Sequence, residues 1–271
     1  MCKLDYNFKD ISTIQNIIKD CSQLTLIKYY AQSTASYKTD GSIVTEADIE
    51  MQKAMGDALN QHYPNILLLS EELTEPEQLS VLNSNQDYWC LDPVDGINNY
   101  HYTLPLFSVS LALISKNEIV LAIIYDPMRD EFFSAIKDQG MWLNSQKIKR
   151  PEQPDTLRQS MAFVDFKRLS IPIKLSLVQQ PPYKSQRNVG SCALEWAWLA
   201  AGRVQLLLHG KEKYWDYAAG VLLNREAGGQ SQTLEAEAVC NWSLDARSVV
   251  AASTVELFEQ WADRIKKTAV D

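Results

Sequence analysis

The sequence predicts an α+β fold built around antiparallel sheet, on three observations. Apolar residues recur at helical spacing in some stretches and gather into short continuous runs in others. Residues 107–114, 119–125 and 131–135 are successive strand candidates, and the turns between them are Lys116-Asn117 and Pro127-Met128-Arg129-Asp130. Turns that short hold no crossover helix, so the meander argues against a chain of βαβ units. The third observation is size: 271 residues, 46% hydrophobic and 22% charged, suit a globular chain with a sizeable core. The expected organisation is one domain over 1–271, with approximate halves 1–150 and 156–271 that meet at the proline-flanked residues 151–155.

Taken in order, Phe8, Ile11, Ile14, Ile18 and Leu24 lie near helical spacing and predict one or two amphipathic helices over 8–35. Residues 37–42 form a polar loop with an Asp-Gly turn signal. Thr45 then reads as an N-cap, with Asp48 placed to complete a capping box, and Met51, Ala54, Met55, Ala58 and Leu59 carry the helix towards His62. Residues 65–69 read as a buried strand that ends at Ser70-Glu71-Glu72, and 73–87 as an exposed acidic connection. Trp89-Cys90-Leu91 is an apolar strand that stops at Asp92-Pro93-Val94-Asp95-Gly96. After the meander, 140–143 adds a short strand. The second half reads as a strand over 161–166, a helix over 171–178, and a helix opened by Gly190-Ser191 and closed by Gly202. A strand over 204–208, a helix over 217–227, a strand over 248–252 and a helix over 255–267 complete the chain. The last helix carries its basic residues at the C-terminal end, where the helix dipole favours them.

A formal net charge of −8 argues against nucleic acid or an anionic membrane as the main partner. No apolar run approaches membrane-spanning length, and the first residues lack a signal peptide's basic start and apolar core. A cytoplasmic location is the expectation. Five cysteines (Cys2, Cys21, Cys90, Cys192, Cys240) without a CxxC pair suit buried reduced thiols better than a zinc or disulfide framework. Trp196, Trp198, Trp242 and Trp261 are read as core or dimer-interface packing rather than as a stacking surface.

Chemistry is carried by acidic groups that end separate apolar stretches: Glu71-Glu72, Asp92 with Asp95, and Asp216. Carboxylates brought together without Cys or His ligands suit hard, oxygen-seeking cations, Mg²⁺ first and Mn²⁺ second. The Asp-Pro-Val-Asp spacing lets one carboxylate bridge two metals while the carbonyl of Val94 also faces inward. Two ions about 3.5–4 Å apart stabilise both the attacking and the leaving oxygen of a phosphoryl transfer. Backbone N–H groups of Gly96 and Ile97 lie just beyond, where a helix start can hold a phosphate. The bland alternative is a solvated acidic turn, since Asp-Pro-x-Asp-Gly alone is often only that. An aspartyl-phosphate phosphatase needs its second Asp two residues after the nucleophile; the gap here is three.

Several blocks in order then make the chain resemble the inositol monophosphatase family of metal-dependent, lithium-sensitive phosphatases. They are Asp40-Gly41-Ser42-Ile43-Val44-Thr45-Glu46-Ala47-Asp48, Ser70-Glu71-Glu72, and Trp89-Cys90-Leu91-Asp92-Pro93-Val94-Asp95-Gly96 with Asn99-Tyr100. Gly190-Ser191-Cys192-Ala193-Leu194, Trp215-Asp216-Tyr217-Ala218-Ala219-Gly220 and Glu226-Ala227-Gly228-Gly229 follow. The resemblance implies a layered αβαβα sandwich of the inositol monophosphatase/fructose-1,6-bisphosphatase type, usually dimeric. It implies Glu71, Asp92 and the Val94 carbonyl on a first Mg²⁺, Asp92, Asp95 and Asp216 on a second, and Glu71 on a weaker third. It further implies a phosphate held by Gly96 and Ile97, Asp48 orienting the attacking water, and substrate contacts from Asp95, Gly190, Ser191, Cys192, His209 and Asp216. The implied activity is in-line hydrolysis of a small phosphorylated metabolite, inositol monophosphate-like, by metal-activated water.

Two positions depart from the family. Where the motif continues Asp-Gly-Thr, this chain has Ile97, whose butyl side chain neither accepts nor passes a proton. Loss of that hydroxyl costs on the order of 10²-fold in rate, the usual scale of general acid–base assistance. Seven residues before Asp216, where many relatives have a glutamate that reads sugar hydroxyls, stands His209. Arg187 and Lys38 are the nearest candidate cationic helpers. Fructose-1,6-bisphosphate, histidinol phosphate and nucleotide 3′-phosphates stay open as substrates, and so does a catalytically weak member that acts mainly by binding.

Overall fold

In the computed structural model, which describes residues 8–30, 35–37 and 43–268, helices and sheets alternate in layers. The chain begins with α1 (Phe8–Ser22), which passes into a π-turn at Gln23–Ile27. A small antiparallel pair, β1 (Ala35–Tyr37) and β2 (Ile43–Thr45), leads into α2 (Glu46–His62). Then come β3 (Leu67–Ser70), α3 (Glu75–Leu82), β4 (Tyr88–Asp95), the short α4 (Ile97–His101), and the meander β5 (Ser108–Ser115), β6 (Glu118–Asp126), β7 (Glu131–Ile136), β8 (Gly140–Leu143) and β9 (Gln146–Lys147). These strands make a seven-stranded sheet in sequence order, antiparallel except that β3 runs parallel to β4.

After an irregular stretch through the expected boundary come β10 (Met161–Val164), α5 (Ile171–Gln179), β11 (Ser185–Arg187), α6 (Cys192–Ala200), β12 (Leu206–Glu212), α7 (Tyr214–Glu226), β13 (Gln230–Gln232), β14 (Arg247–Ala252) and α8 (Val255–Thr268). Their five-stranded sheet has the order β11-β10-β12-β14-β13 and is mixed, with β10 parallel to both its neighbours. The strand alternation explains the layering. On β4, Trp89 and Leu91 face an apolar cluster with Ile11, Ile14, Met51 and Met55, whereas Cys90 faces the cluster of Trp196, Ala197, Tyr217 and Ala218. The same middle layer, α6 and α7, packs against Phe163, Leu207 and Val249 of the second sheet. Ala162, Leu206, Leu208 and Val250 point the other way, to Ile173, Leu257, Phe258 and Trp261 on α5 and α8. The fold is therefore the layered α+β arrangement that the resemblance implies.

Several boundaries differ from the sequence expectation. The acidic connection contains α3, started by Thr74, whose N–H and Oγ1 both donate to Glu77 Oε2 at 2.9 and 2.6 Å. The strand expected over 161–166 stops at Val164, because Asp165 accepts the Lys167 N–H at 2.8 Å and winds a 3₁₀ turn over Phe166–Arg168. The strand expected over 204–208 runs on to Glu212, with its ladder shifted between His209 and Glu212. α7 starts a turn earlier than expected, which places Asp216 inside its first turn. Trp196 and Trp261 are fully buried core residues, and Trp198 and Trp242 are partly buried against the middle cluster. Among the described residues Cys21, Cys90, Cys192 and Cys240 form no disulfide; Cys2 lies outside them. No helix of the described residues is long and apolar enough to cross a membrane.

Candidate metal and phosphate centre

The centre begins where β4 loses its regular ladder. Pro93 has no N–H to give, and the pairing with β5 shifts between Asp92 and Asp95. Asp92 Oδ1 accepts the Val94 N–H at 3.0 Å, which closes the turn. Gly96 then takes φ +95°, and a Cβ there would meet Ser191 Cβ at 3.0 Å and the Leu106 carbonyl at 3.1 Å. Only glycine lets β4 approach the start of α6 so closely. Asp95 uses that approach: its Oδ2 accepts from Ser191 Oγ and from the Ala193 N–H at 2.7 Å, and its Oδ1 from the Cys192 N–H at 3.2 Å. Asn99 ties the same two segments, donating to the carbonyls of Leu106 at 2.6 Å and Val189 at 2.8 Å.

Asp216 enters from α7, where the Lys213 N–H donates to its Oδ2 at 2.8 Å. One carboxylate oxygen each from Asp92, Asp95 and Asp216 lies within 4.8 Å of the others. Glu71, at the end of β3, lines the same cleft of about 580 Å³, as do Val94, Gly96, Ile97, Gly190, Ser191, Cys192 and His209. The electrostatics call for a cation. Burial, then the charges of Glu71, Asp95 and Asp216, push the pKa of Asp92 well above the ordinary carboxylate range. Asp216 is pushed up likewise, by burial and by Asp95 and Glu71. Asp95 is also raised by burial, although its hydrogen bonds from Ser191, Ala193 and Cys192 oppose the shift. An all-carboxylate donor set of this kind fits a hard divalent ion such as Mg²⁺ or Mn²⁺.

The other expected residues fall differently. Asp48 is buried and does not line the cleft; its Oδ2 accepts from Thr45 N–H at 2.7 Å and Thr45 Oγ1 at 2.8 Å, and its charge is felt by Asp92. Arg187 is exposed outside the cleft, spending its Nη1 on Ser185 Oγ and the Gln186 carbonyl, each at 2.7 Å. Lys38 lies outside the described residues. The cations that line the cleft are instead Lys167, Arg168 and Lys213. Arg168 Nη1 donates to Asp165 Oδ2 at 2.8 Å, and His209 Nε2 donates to the same oxygen at 2.9 Å. Burial opposes ionisation of Asp165, yet these two hydrogen bonds outweigh it and hold its pKa below the ordinary range. The signal for this group was an Asp directly after an apolar run with Lys167 and Arg168 behind it, the pattern of a capped turn. Glu195, another lining residue, accepts the Val189 N–H at 2.6 Å and is pushed by burial to a pKa of about 8.

The comparisons with known proteins give the family and the fold. The profile of the inositol monophosphatase family matches residues 10–269. The chain is 34% identical over 200 residues to the Nus factor SuhB of Escherichia coli (strain K12), covering 72% of this chain and 73% of that protein. It is 32% identical over 223 residues to an inositol monophosphatase of Dictyostelium discoideum, covering 79% and 80%. Among solved structures, the suhB protein of Bartonella henselae superposes with a TM-score of 0.83 at 25% identity, over 95% of this chain and 98% of that one. An IMPase of Thermotoga maritima superposes with a TM-score of 0.82 at 21% identity, over 97% and 99%. This chain belongs to the inositol monophosphatase family.

Proposed function

We propose that the protein is a Mg²⁺-dependent phosphomonoesterase that acts on a small phosphorylated metabolite. The observation that carries this reading is the convergence of Asp92, Asp95 and Asp216, from β4 and α7, beside Glu71 in one cleft. Glu71, Asp92 and the Val94 carbonyl would hold one ion, Asp92, Asp95 and Asp216 a second, and Glu71 would help with a weaker third. Such ions, with Mn²⁺ as a substitute, supply water activation and charge neutralisation at the leaving oxygen. The chain's own part is positioning. Asp95 is fixed by the start of α6, Gly96 and Ile97 present backbone amides to the phosphate, and Asp48 acts on the field at Asp92. Gly190, Ser191, Cys192 and His209 form the wall for the alcohol part of the substrate.

Lys167 and Lys213 on that wall, beside an Arg168 already paired with Asp165, favour an alcohol that carries a second anionic group over a neutral polyol. Within the open substrates this ranks a sugar bisphosphate or a nucleotide 3′-phosphate above inositol monophosphate and histidinol phosphate. A Thermotoga maritima relative, 28% identical over 233 residues, is named a fructose-1,6-bisphosphatase/inositol-1-monophosphatase. Lithium inhibition, a homodimer and a cytoplasmic location belong to the same proposal. The test is phosphate release from a panel of these esters with Mg²⁺, with and without Li⁺. Turnover that requires Mg²⁺ is the expected result; none on any ester, with the protein folded and metal-loaded, overturns it. A second reading, ligand binding with little turnover, is favoured by Ile97 and by the E. coli relative's being named a Nus factor. Calorimetric binding of a bisphosphate without hydrolysis would select it.

A further inference from the structure

We infer that Cys192, His209 and Glu212 form a separate site for a thiophilic divalent cation, Zn²⁺ foremost. One donor atom from each lies within 4.8 Å of the others. His209 and Glu212 are buried, at 3% and 0% exposure, and Cys192 is half-buried on the cleft wall. Glu212 carries the independent sign of a missing partner. Its Oε2 accepts from Trp196 Nε1 at 2.8 Å, while its Oε1 is buried without a hydrogen bond, 3.8 Å from His209 Nδ1. An orphaned carboxylate oxygen in the interior is costly unless a proton or a cation meets it.

The imidazole is oriented for such a role. Asp165 Oδ2 takes the Nε2 proton at 2.9 Å, which leaves the Nδ1 lone pair on the side of Glu212. A carboxylate behind a histidine in this way fixes the tautomer and raises the basicity of the other nitrogen. Nδ1 otherwise receives only the Lys211 N–H, at 3.3 Å. Cys192 Sγ lies 3.8 Å from His209 Nε2 and supplies the sulfur that the carboxylate centre lacks. Sulfur, imidazole nitrogen and one carboxylate oxygen make a borderline-soft set that selects Zn²⁺ over Mg²⁺, with a fourth position open to water or substrate. Charge also balances: a thiolate and Glu212 offset a dication, while Arg168 already neutralises Asp165. None of its three ligands belongs to the Asp92/Asp95/Asp216 group, although Cys192 and His209 also line the substrate cleft, so ion binding there is read apart from turnover.

The test is Co²⁺ titration of the full chain in excess Mg²⁺, which keeps the carboxylate centre filled. The expected result is a near-ultraviolet cobalt–thiolate charge-transfer band that saturates at one equivalent. Cys192→Ser should abolish the band, and Glu212→Gln should weaken Co²⁺ binding about tenfold or more. Zn²⁺ should displace the Co²⁺ and remove the band. No thiolate band in the folded wild-type protein overturns the site, as does a band of equal intensity in folded Cys192→Ser. If that variant does not fold, as judged by circular dichroism, Glu212→Gln decides: unchanged Co²⁺ affinity overturns the assignment.

Discussion

Ile97 puts a branched hydrocarbon at the first position of α4, on the cleft wall and against the apolar cluster that contains Tyr100 and Phe107. Its contacts are those of a packing residue, so its place beside the proposed phosphate-binding turn brings no proton acceptor. Ile97→Thr should therefore raise kcat about 10²-fold with Mg²⁺ affinity unchanged, at a stability cost of about 1 kcal/mol. Steady-state kinetics beside a thermal melt check both halves, and a flat rate in an already fast parent would show the hydroxyl to be dispensable. Asp95 is the opposite case, since every hydrogen bond it makes is one that a carboxylate accepts. Asp95→Asn turns an amide N–H₂ towards one of those donors and removes a metal charge. Phosphate release should fall by on the order of 10²-fold or more, and a variant that keeps its turnover would refute the metal assignment.

α6 gathers the site at one helix terminus, with Ser191 as its N-cap, Asp95 on its first N–H groups and Glu195 in its first turn. Glu195 has a folded pKa of about 8, raised first by burial, against an ordinary value near 4.5 in the unfolded chain. Between those values the folded protein holds a proton that the unfolded chain has lost, so stability falls as pH rises through the window and levels off above it. Glu195→Gln removes the proton while an amide oxygen still faces the Val189 N–H. The variant should gain stability over wild type from pH 5 to pH 8, by up to about 1 kcal/mol per pH unit, in urea melts at both ends. A gap that stays constant with pH would mean that Glu195 is ionised in the fold. Elements of this kind were legible wherever the signal is local. The Thr45/Asp48 capping box spans four residues of sequence, and it forms as read. α7 was legible only from Tyr217, because Lys213 is not a residue that announces an N-cap. The Asp165 turn was hidden by Phe166, which extends the apolar run that precedes it. The positions of His209 beside Asp165, and of Cys192 beside His209, depend on how β10, β12 and α6 meet, and no spacing along the chain encodes that.

Over the whole molecule, the first sheet supplies Glu71, Asp92 and Asp95, and the helix layer between the sheets supplies Asp216. Packing the layers together therefore forces acids into proximity in a chain whose net charge is already −8. Asp92, Asp95 and Asp216 all have pKa values raised by burial, and each other's charges add to the rise at Asp92 and Asp216. The sign is that of Glu195: the metal-free fold holds protons that the unfolded chain releases above the ordinary carboxylate range, so its stability declines as pH rises from there. A divalent cation binds the ionised folded site and not the unfolded chain, and it competes with those protons, so it acts most at the higher pH, where they are more readily given up. At about 100 times its Kd an ion contributes about 2.7 kcal/mol, which for a chain of this size moves Tm by about 5–10 °C. In EDTA, Tm should fall between pH 5 and pH 8, and saturating Mg²⁺ should raise it far more at pH 8 than at pH 5. Repeating both curves with Glu195→Gln subtracts that residue's share and leaves the aspartates'. An equal Mg²⁺ increment at the two pH values would show that the cluster does not take up the ion through its carboxylates.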